Sequence, residues 1–322
     1  MRAADKILEM LYDRGEAYVS LDELAEACGV RGPAVESALA LLRQKGHALE
    51  RSPMQGVRLV RPVRLDAHLI ERDLGVRRVG RSVLCFDEVD STNDIAAHSA
   101  RQDGTDGLAV LAEFQRRGRG RLGRQWVSPR GANVLMSALL MDAAGRLPYD
   151  ALTIAAGLAV ADAVADACGL ECRLKWPNDV LLDEAKLAGI LVELRTTRQV
   201  RCMIVGLGVN VNAAPPAEGT RSPAVCLADR LGHPVERIEL VRAILRRLDG
   251  RVEQIVAGGL EALRADWLAR CGMLNQRLAV RCRGQRCVGR ALDIDPMKGL
   301  ILCTDDDRRI RLPAEHSTLE EL

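Results

Sequence analysis

Residues 115–126 read QRRGRGRLGRQW, five arginines and three glycines in twelve positions, with no acidic residue among them and a tryptophan at the end. Arginine offers forked donors that match phosphate and carboxylate oxygens. Gly118, Gly120 and Gly123 let the backbone approach a ligand closely. Like charges repel, so the segment is expected to be mobile on its own and ordered by an anion. It lacks the GxxxxGK[ST] pattern of a phosphate loop. GRGRLG has GxGxxG spacing, but the RQWVSPRGANVLMS that follows is not a helix, which removes the dinucleotide reading. A solvated basic loop is the plain alternative. The position between two strand-like stretches and the closing Trp126 favour a loop that shuts over a small anionic ligand.

Residues 174–194, LKWPNDVLLDEAKLAGILVEL, carry a second group of candidates. The Trp176-Pro177-Asn178-Asp179 turn is rigid enough to fix side-chain directions. Asp179 can bind Mg²⁺ through oxygen or orient a lysine. Lys186, just ahead of an apolar strand, can aim a point charge into a site; surface lysines and a turn-capping Asp179 are the plain alternatives. In FDEVDSTND (86–94), Ser91, Thr92 and Asn93 supply small donors and acceptors, or simply cap a helix. VGLGVNVN (205–212) reads as a strand whose glycines permit close approach and whose asparagines, Asn210 among them, can read a base edge. The five histidines fall outside all four motifs, so a hydrolase built on a catalytic histidine is a poor fit.

These motifs need elements to hold them. The chain has 322 residues, 48% hydrophobic and 28% charged, enough for a sizeable core and more than one domain. A net charge of +2 gives no global argument for nucleic acid. No uninterrupted apolar run reaches bilayer length, the N-terminus lacks a signal-peptide pattern, and the ten cysteines form no CxxC pair. A cytoplasmic protein with reduced thiols, no membrane and no tightly bound metal is expected. Two of the three tryptophans lie in the loop and the WPND turn, which points to a site.

At the N-terminus, DKILEMLYDR has helical spacing, SLDELAEACGV opens on a Ser20/Glu23 capping box, and PAVESALALLRQKG starts on Pro33. A hairpin turning near Gly56 follows, and the whole looks like a winged helix-turn-helix. Residues 1–62 hold nine basic and nine acidic residues, and the third helix exposes Glu36 and Ser37. DNA contacts would fall to Arg31, Ser37, Arg51 and Arg58; a domain used only for packing is the alternative. From about residue 80, strand-like and helix-like stretches mix into one α/β domain, and the tail from 275 reads as a small β-barrel. The expected fold is multidomain α+β. It comprises a winged helix-turn-helix over 1–62, a mixed α/β catalytic domain over 63–273 and a small β-barrel over 274–322.

DSTN, EFQRRGRGRLGRQW, KWPNDV with KLAGILVE, and GLGVNVN appear together, in order, along this chain. In that combination the sequence resembles the bifunctional biotin–protein ligases that double as biotin-operon repressors, over nearly its whole length. The resemblance implies a catalytic domain of the biotin/lipoate ligase type and an SH3-like C-terminal barrel. It implies attack of biotin's carboxylate on the α-phosphate of ATP, with Mg²⁺, to give biotinyl-5′-AMP. Transfer to a lysine of the biotin carboxyl carrier domain of acetyl-CoA carboxylase follows. Biotin-binding roles then pass to Ser91, Thr92 and Gln115 at the ureido ring, to Asn93 next to them in the chain, and to Gly118, Arg119, Gly120, Arg121, Trp126 and Lys186 along the tail and phosphate. Arg119, Arg121, Asn178, Asp179 and Asn210 would serve the nucleotide, Asp179 also the metal. Lys186, Arg121 and Asp179 would be the catalytic residues. The family also implies a homodimer on adenylate binding and operator DNA as partner. Leu122 and Gln125 depart from the basic residues common at these positions and are expected to loosen adenylate retention. The recognition helix likewise lacks the usual basic residues. A lipoate-type ligase, or a biotinyl-AMP-sensing regulator without transferase activity, are the competing readings.

Overall fold

The computed structural model describes residues 3–102, 105–197, 200–216 and 222–322. Three helices open the chain, α1 (Ala3–Asp13), α2 (Leu21–Cys28) and α3 (Gly32–Gln44), followed by the antiparallel hairpin β1 (Leu49–Ser52) and β2 (Gly56–Leu59). Ser20 Oγ accepts the Glu23 amide at 3.1 Å, a cap that stabilises α2 by about 1 kcal/mol. The reciprocal half of the box is missing, because the Glu23 carboxylate turns to Arg14. Gly29, in the left-handed region at φ 66°, ends α2, and Pro33 sits in the first turn of α3. Ile7, Leu8, Leu11, Leu24, Leu39 and Leu42 bury fully between the helices. Burying each contributes about 1.5–3 kcal/mol toward holding the three helices together.

The join to the rest of the molecule uses side chains, such as Tyr12 Oη donating to Glu239 at 3.0 Å, and backbone amides. Val63 N donates to the Glu236 carboxylate at 3.0 Å and Leu65 N to Glu113 Oε1 at 2.7 Å. Asp66 caps the short α4 (Ala67–Glu71) and takes His47 Nε2 at 3.2 Å.

A seven-stranded sheet follows, of β3 (Ser82–Phe86), β4 (Leu108–Ala112), β5 (Val134–Met141), β6 (Arg173–Lys175), β7 (Asp179–Leu182), β8 (Ala185–Thr197) and β9 (Val200–Val209). Its order is β3-β4-β5-β9-β8-β7-β6. Among its described strands only β3 and β4 pair in parallel, joined by the crossover helix α5 (Thr92–Arg101). The long helices α6 (Tyr149–Cys168) and α8 (Arg237–Val256) pack on each other, and α6 also lies against β8; α7 (Leu227–Leu231) and α9 (Leu260–Arg270) complete this part. By length and mean hydropathy (1.6) α6 could cross a bilayer, but 78% of that stretch is buried inside the protein. A helix apolar on all sides belongs to a core, which is what α6 fills.

Two local differences from the sequence reading matter for the site. The WPND segment is the turn of a β6–β7 hairpin. Further, β8 starts at Ala185 rather than near Gly189, so Lys186 lies inside the strand. The C-terminal sheet holds β10 (Arg277–Cys282), β11 (Gln285–Asp295), β12 (Gly299–Thr304), β13 (Arg309–Leu312) and β14 (Ser317–Glu320), all antiparallel, ordered β13-β12-β11-β10-β14. All ten cysteines are free thiols, and no metal-ligand cluster occurs among the described residues.

Candidate active site

At the C-terminal ends of β3 and β4, residues 87–91 and 113–115 run side by side, and α5 begins at Ser91. Ser91 is buried with extended backbone but does not cap α5 with its own side chain. Gln115 does that work: its Oε1 accepts Thr92 N at 2.7 Å and Thr92 Oγ1 at 3.0 Å. Ser137, on β5, touches Thr92 Oγ1 at 2.7 Å and Asn93 Oδ1 at 2.6 Å. The predicted Ser91, Thr92, Asn93 and Gln115 therefore meet at one end of a cavity of about 100 Å³. Ser137 was not anticipated, although it is the single polar residue in the apolar run VLMSALLM.

The floor is β8 and β9, where Gly189 and Gly208 stand opposite each other in register. Trp126 lies on them. A β-carbon at Gly208 would collide with the indole, and one at Gly189 would stand 3.0 Å from its edge. Gly206 leaves comparable room for Asn93. Trp126 Nε1 and Asn93 Nδ2 are buried donors with no hydrogen-bond partner among the described residues. Each costs about 1–3 kcal/mol while unpaired, which marks the cavity as a place where a polar ligand is stabilised.

Lys186 stands at the far side, where a bulge between β7 and β8 re-aims the strand. Its Nζ lies 2.6 Å from Asp179 Oδ1 and 5.7 Å from the centre of the Trp126 ring. Asn178 brackets the corner, donating to Ile190 O at 2.8 Å and accepting Arg121 Nη1 at 3.1 Å. Asn210 is placed elsewhere. It sits buried behind β8, donating to Lys186 O at 3.3 Å, and is not among the residues that line the cavity.

The arginine–glycine loop folds over this groove as a small hairpin. Trp126 N donates to Gly118 O at 2.9 Å and Gly120 N to Arg124 O at 2.7 Å, around a single turn at 121–123. Any β-carbon at Gly118 would strike the Trp126 carbonyl, so glycine is required there. Leu122 occupies the left-handed region at φ 55° with its side chain 59% exposed, outside the cavity, whereas Gln125 lines it.

The expected self-repulsion is answered by acids from outside the loop. Arg116 meets Asp90 at 2.7 Å, Arg117 lies 3.7 Å from the same carboxylate, and Arg119 reaches Asp94 at 2.7 Å and Glu193 at 3.6 Å. Arg119, expected on the phosphate, thus straps the loop to α5 and β8. Arg121 differs. It is buried, burial pulls its guanidinium below the ordinary arginine value, and it makes no carboxylate ion pair among the described residues. Its Nη2 instead donates to Ala314 O and, at 2.7 Å, to Ser317 O. Beyond Arg121, Arg124 and Asn178 opens a second cavity of about 780 Å³, edged by Lys175, Asp179, Thr318 and Glu320.

Residues 85–210 match the Biotin/lipoate A/B protein ligase family. A biotin--[acetyl-CoA-carboxylase] ligase of Paracoccus denitrificans is 37% identical over 233 residues, covering 70% of this chain and 96% of that protein. The chain belongs to this family. The bifunctional ligase/repressor BirA of Bacillus subtilis is 28% identical over 305 residues, covering 93% of this chain and 94% of that protein. In fold, the biotin protein ligase from Aquifex aeolicus solved with biotin and ATP aligns with a TM-score of 0.65 at 24% identity, over 74% of this chain and 99% of the other. The family segment contains three of the four motifs whole and the fourth as far as Asn210, and both cavities draw their lining largely from it.

Proposed function

We propose that the protein is an ATP-dependent biotin–protein ligase, which activates biotin to biotinyl-5′-AMP and transfers it to a lysine of the biotin carboxyl carrier domain of acetyl-CoA carboxylase. The observation that carries this is the pair of cavities sharing Arg121, Arg124 and Asn178 as their wall. The small one is rich in uncharged donors and acceptors, the large one in charged groups. A ligand with a compact polar ring and an anionic tail suits them.

Ser91, Thr92, Asn93 and Gln115 would hold the ureido ring, and the valeryl tail would pass under Trp126 across Gly189 and Gly208. Its carboxylate then reaches Lys186. One carboxylate oxygen attacks the α-phosphorus, the bond to the β-phosphate oxygen breaks, and pyrophosphate leaves. Lys186 and Arg121 offset the charge that gathers on the phosphorus oxygens. Asp179 is a fitting single carboxylate for the Mg²⁺ that accompanies ATP, an ion that ordinarily takes one or two carboxylates beside phosphate oxygens and screens their charge. In the second step the acceptor amine attacks the acyl carbon, the bond to the AMP oxygen breaks, and an amide remains. The loop keeps water from the anhydride meanwhile. Asn210 serves from behind, by fixing the backbone of Lys186.

The test offers biotin or lipoate with ATP, Mg²⁺ and an acceptor domain. Transfer of biotin alone is expected, because Asn93 and Gln115 have nothing to bond on a dithiolane ring. Transfer of lipoate instead overturns the assignment, and adenylate formation without transfer reassigns the protein as a sensor.

The chain divides, on this reading, into a winged helix-turn-helix over 1–62, the catalytic unit over 63–273 and an SH3-like barrel over 274–322, in the cytoplasm. The N-terminal unit would bind operator DNA as part of an adenylate-promoted homodimer. Supporting it, a relative that bears the ligase name alone spans 70% of this chain, and one that is also a repressor spans 93%. Arg31 and Ser37 are exposed on or beside α3; Arg51 and Arg58 are exposed or half-exposed on the hairpin.

A further inference from the structure

Arg121 reaches out of the arginine–glycine loop and is held by the backbone that leads into β14, through the carbonyls of Ala314 and Ser317. Arg124 adds a hydrogen bond to Thr318 Oγ1 at 3.0 Å. The loop is therefore fastened at two points to a segment of five residues, 314–318. That segment leaves β13 through Pro313, which has no amide to donate, and turns once before β14. Its position rests on the next amide, Ala314 N, which donates at 2.8 Å to Asp150 Oδ1 in the first turn of α6.

Asp150 is an unusual residue for that place. An exposed aspartate in a first helical turn normally serves its own helix. Here it is 7% exposed, and burial pushes its carboxyl up to about 6, against the opposing pull of the Ala314 amide and the Arg121 charge. A carboxyl retained against that cost has a purpose other than α6.

We propose that Asp150 is a positioning residue for the arginine–glycine loop. By holding the Ala314 amide it sets the two carbonyls that dock Arg121, so the C-terminal sheet determines how firmly the loop stays closed over an acyl-adenylate. This rests on the loop's proposed role in retaining biotinyl-5′-AMP.

The experiment follows one turnover of the full-length protein with ATP, Mg²⁺ and biotin, reading pyrophosphate release and free biotinyl-5′-AMP separately. Asp150→Ala is expected to release adenylate about tenfold faster than the unaltered protein, with pyrophosphate release changed by less than about threefold, in line with loss of one buried hydrogen bond. Asp150→Asn, whose amide oxygen still accepts Ala314 N, should retain adenylate within about twofold. In combination with Arg121→Gly, Asp150→Ala should add nothing, since both act through one contact. Retention by Asp150→Ala, leakage by Asp150→Asn, or additive leakage in the double variant would each overturn the proposal. If Asp150→Ala does not fold, Asp150→Leu keeps the buried volume while removing the acceptor for Ala314 N, and normal retention there has the same force. If Arg121→Gly itself retains adenylate, the loop's role fails first, whatever Asp150 does.

Discussion

The arginine–glycine loop and the N-terminal hairpin hold the same residue type in opposite electrostatic settings. On the hairpin, Arg51 pairs with Glu36 of α3, and Arg58 pairs with Glu50 at 2.8 Å while lying over the Tyr18 ring. Both pairs are open to water, where ion pairs contribute little and exchange readily. In the loop, Arg116, Arg117 and Arg119 are balanced by carboxylates, but Arg121 is buried, donates to the Ala314 and Ser317 carbonyls and the Asn178 side chain, and makes no carboxylate ion pair among the described residues. A buried cation without an anion is a cost that a bound anion removes. Counting arginines therefore does not locate the anion site; what marks Arg121 is burial without a carboxylate partner, since Arg124, which also lacks one among the described residues, is exposed.

Four measurements can break or sharpen this contrast. The largest effect is expected at Lys186, whose present partner Asp179 is 2.6 Å away. Lys186→Ala should slow pyrophosphate release by about 10³-fold or more, a typical loss for a charge that acts on the transition state. A loss under tenfold would mean that Arg121 alone supplies the neutralisation. Next comes Glu113, whose carboxylate is buried with Arg237 at 2.6 Å. Glu113→Ala should lower the unfolding free energy by about 3–5 kcal/mol, because it leaves Arg237 buried and unpaired. A change below about 1 kcal/mol would show that a buried arginine is tolerated bare in this fold, and Arg121 would lose its special standing.

The third measurement concerns pH. Asp150 titrates at about 6 in the folded protein against 3.8 as its ordinary value. The folded state therefore binds this proton more tightly. The associated stability is present below the ordinary value and is lost as pH rises through about 6. Relative to Asp150→Asn, the unaltered protein should gain about 1 kcal/mol on going from pH 7 to pH 5 in chemical denaturation. Parallel curves would show that the carboxyl is not buried as described. The smallest effect is expected at Arg51. Arg51→Ala should change stability by less than about 1 kcal/mol. If the hairpin binds DNA, the same change should reduce the salt dependence of binding by roughly one counterion. An unchanged salt slope would leave Arg51 paired with Glu36 in the complex as well.

Much of the site was legible in the sequence because its motifs are local. The loop's glycines, the WPND turn and the serine–threonine–asparagine run each declare a backbone need within a few residues. The invisible parts depend on contacts far apart in the chain. Asp150 is an ordinary first-turn aspartate until Ala314, 164 positions away, is seen beside it. Glu113 and Arg237 are 124 apart, and nothing in the motif that Glu113 opens points to Arg237. The acids that quiet the loop, Asp90, Asp94 and Glu193, were in plain sight but belong to other elements. Asn210 lies behind β8, out of the cavity wall, and a strand's alternation does not say which face looks into the cavity. The helices and strands themselves mostly followed the hydrophobic periods; the short strands on either side of the WPND turn and the early start of β8 at Ala185 are departures.

The amides of Val63 and Leu65, bound to Glu236 and Glu113, also decide where this enzyme can be shortened. A chain that begins at Val63 discards the three helices and hairpin yet keeps both acids satisfied. One that begins at Ala67 strips a donor from each and removes the Asp66 cap of α4 as well. Two truncations only four residues apart should therefore differ more in solubility and yield than in the catalytic groups they contain.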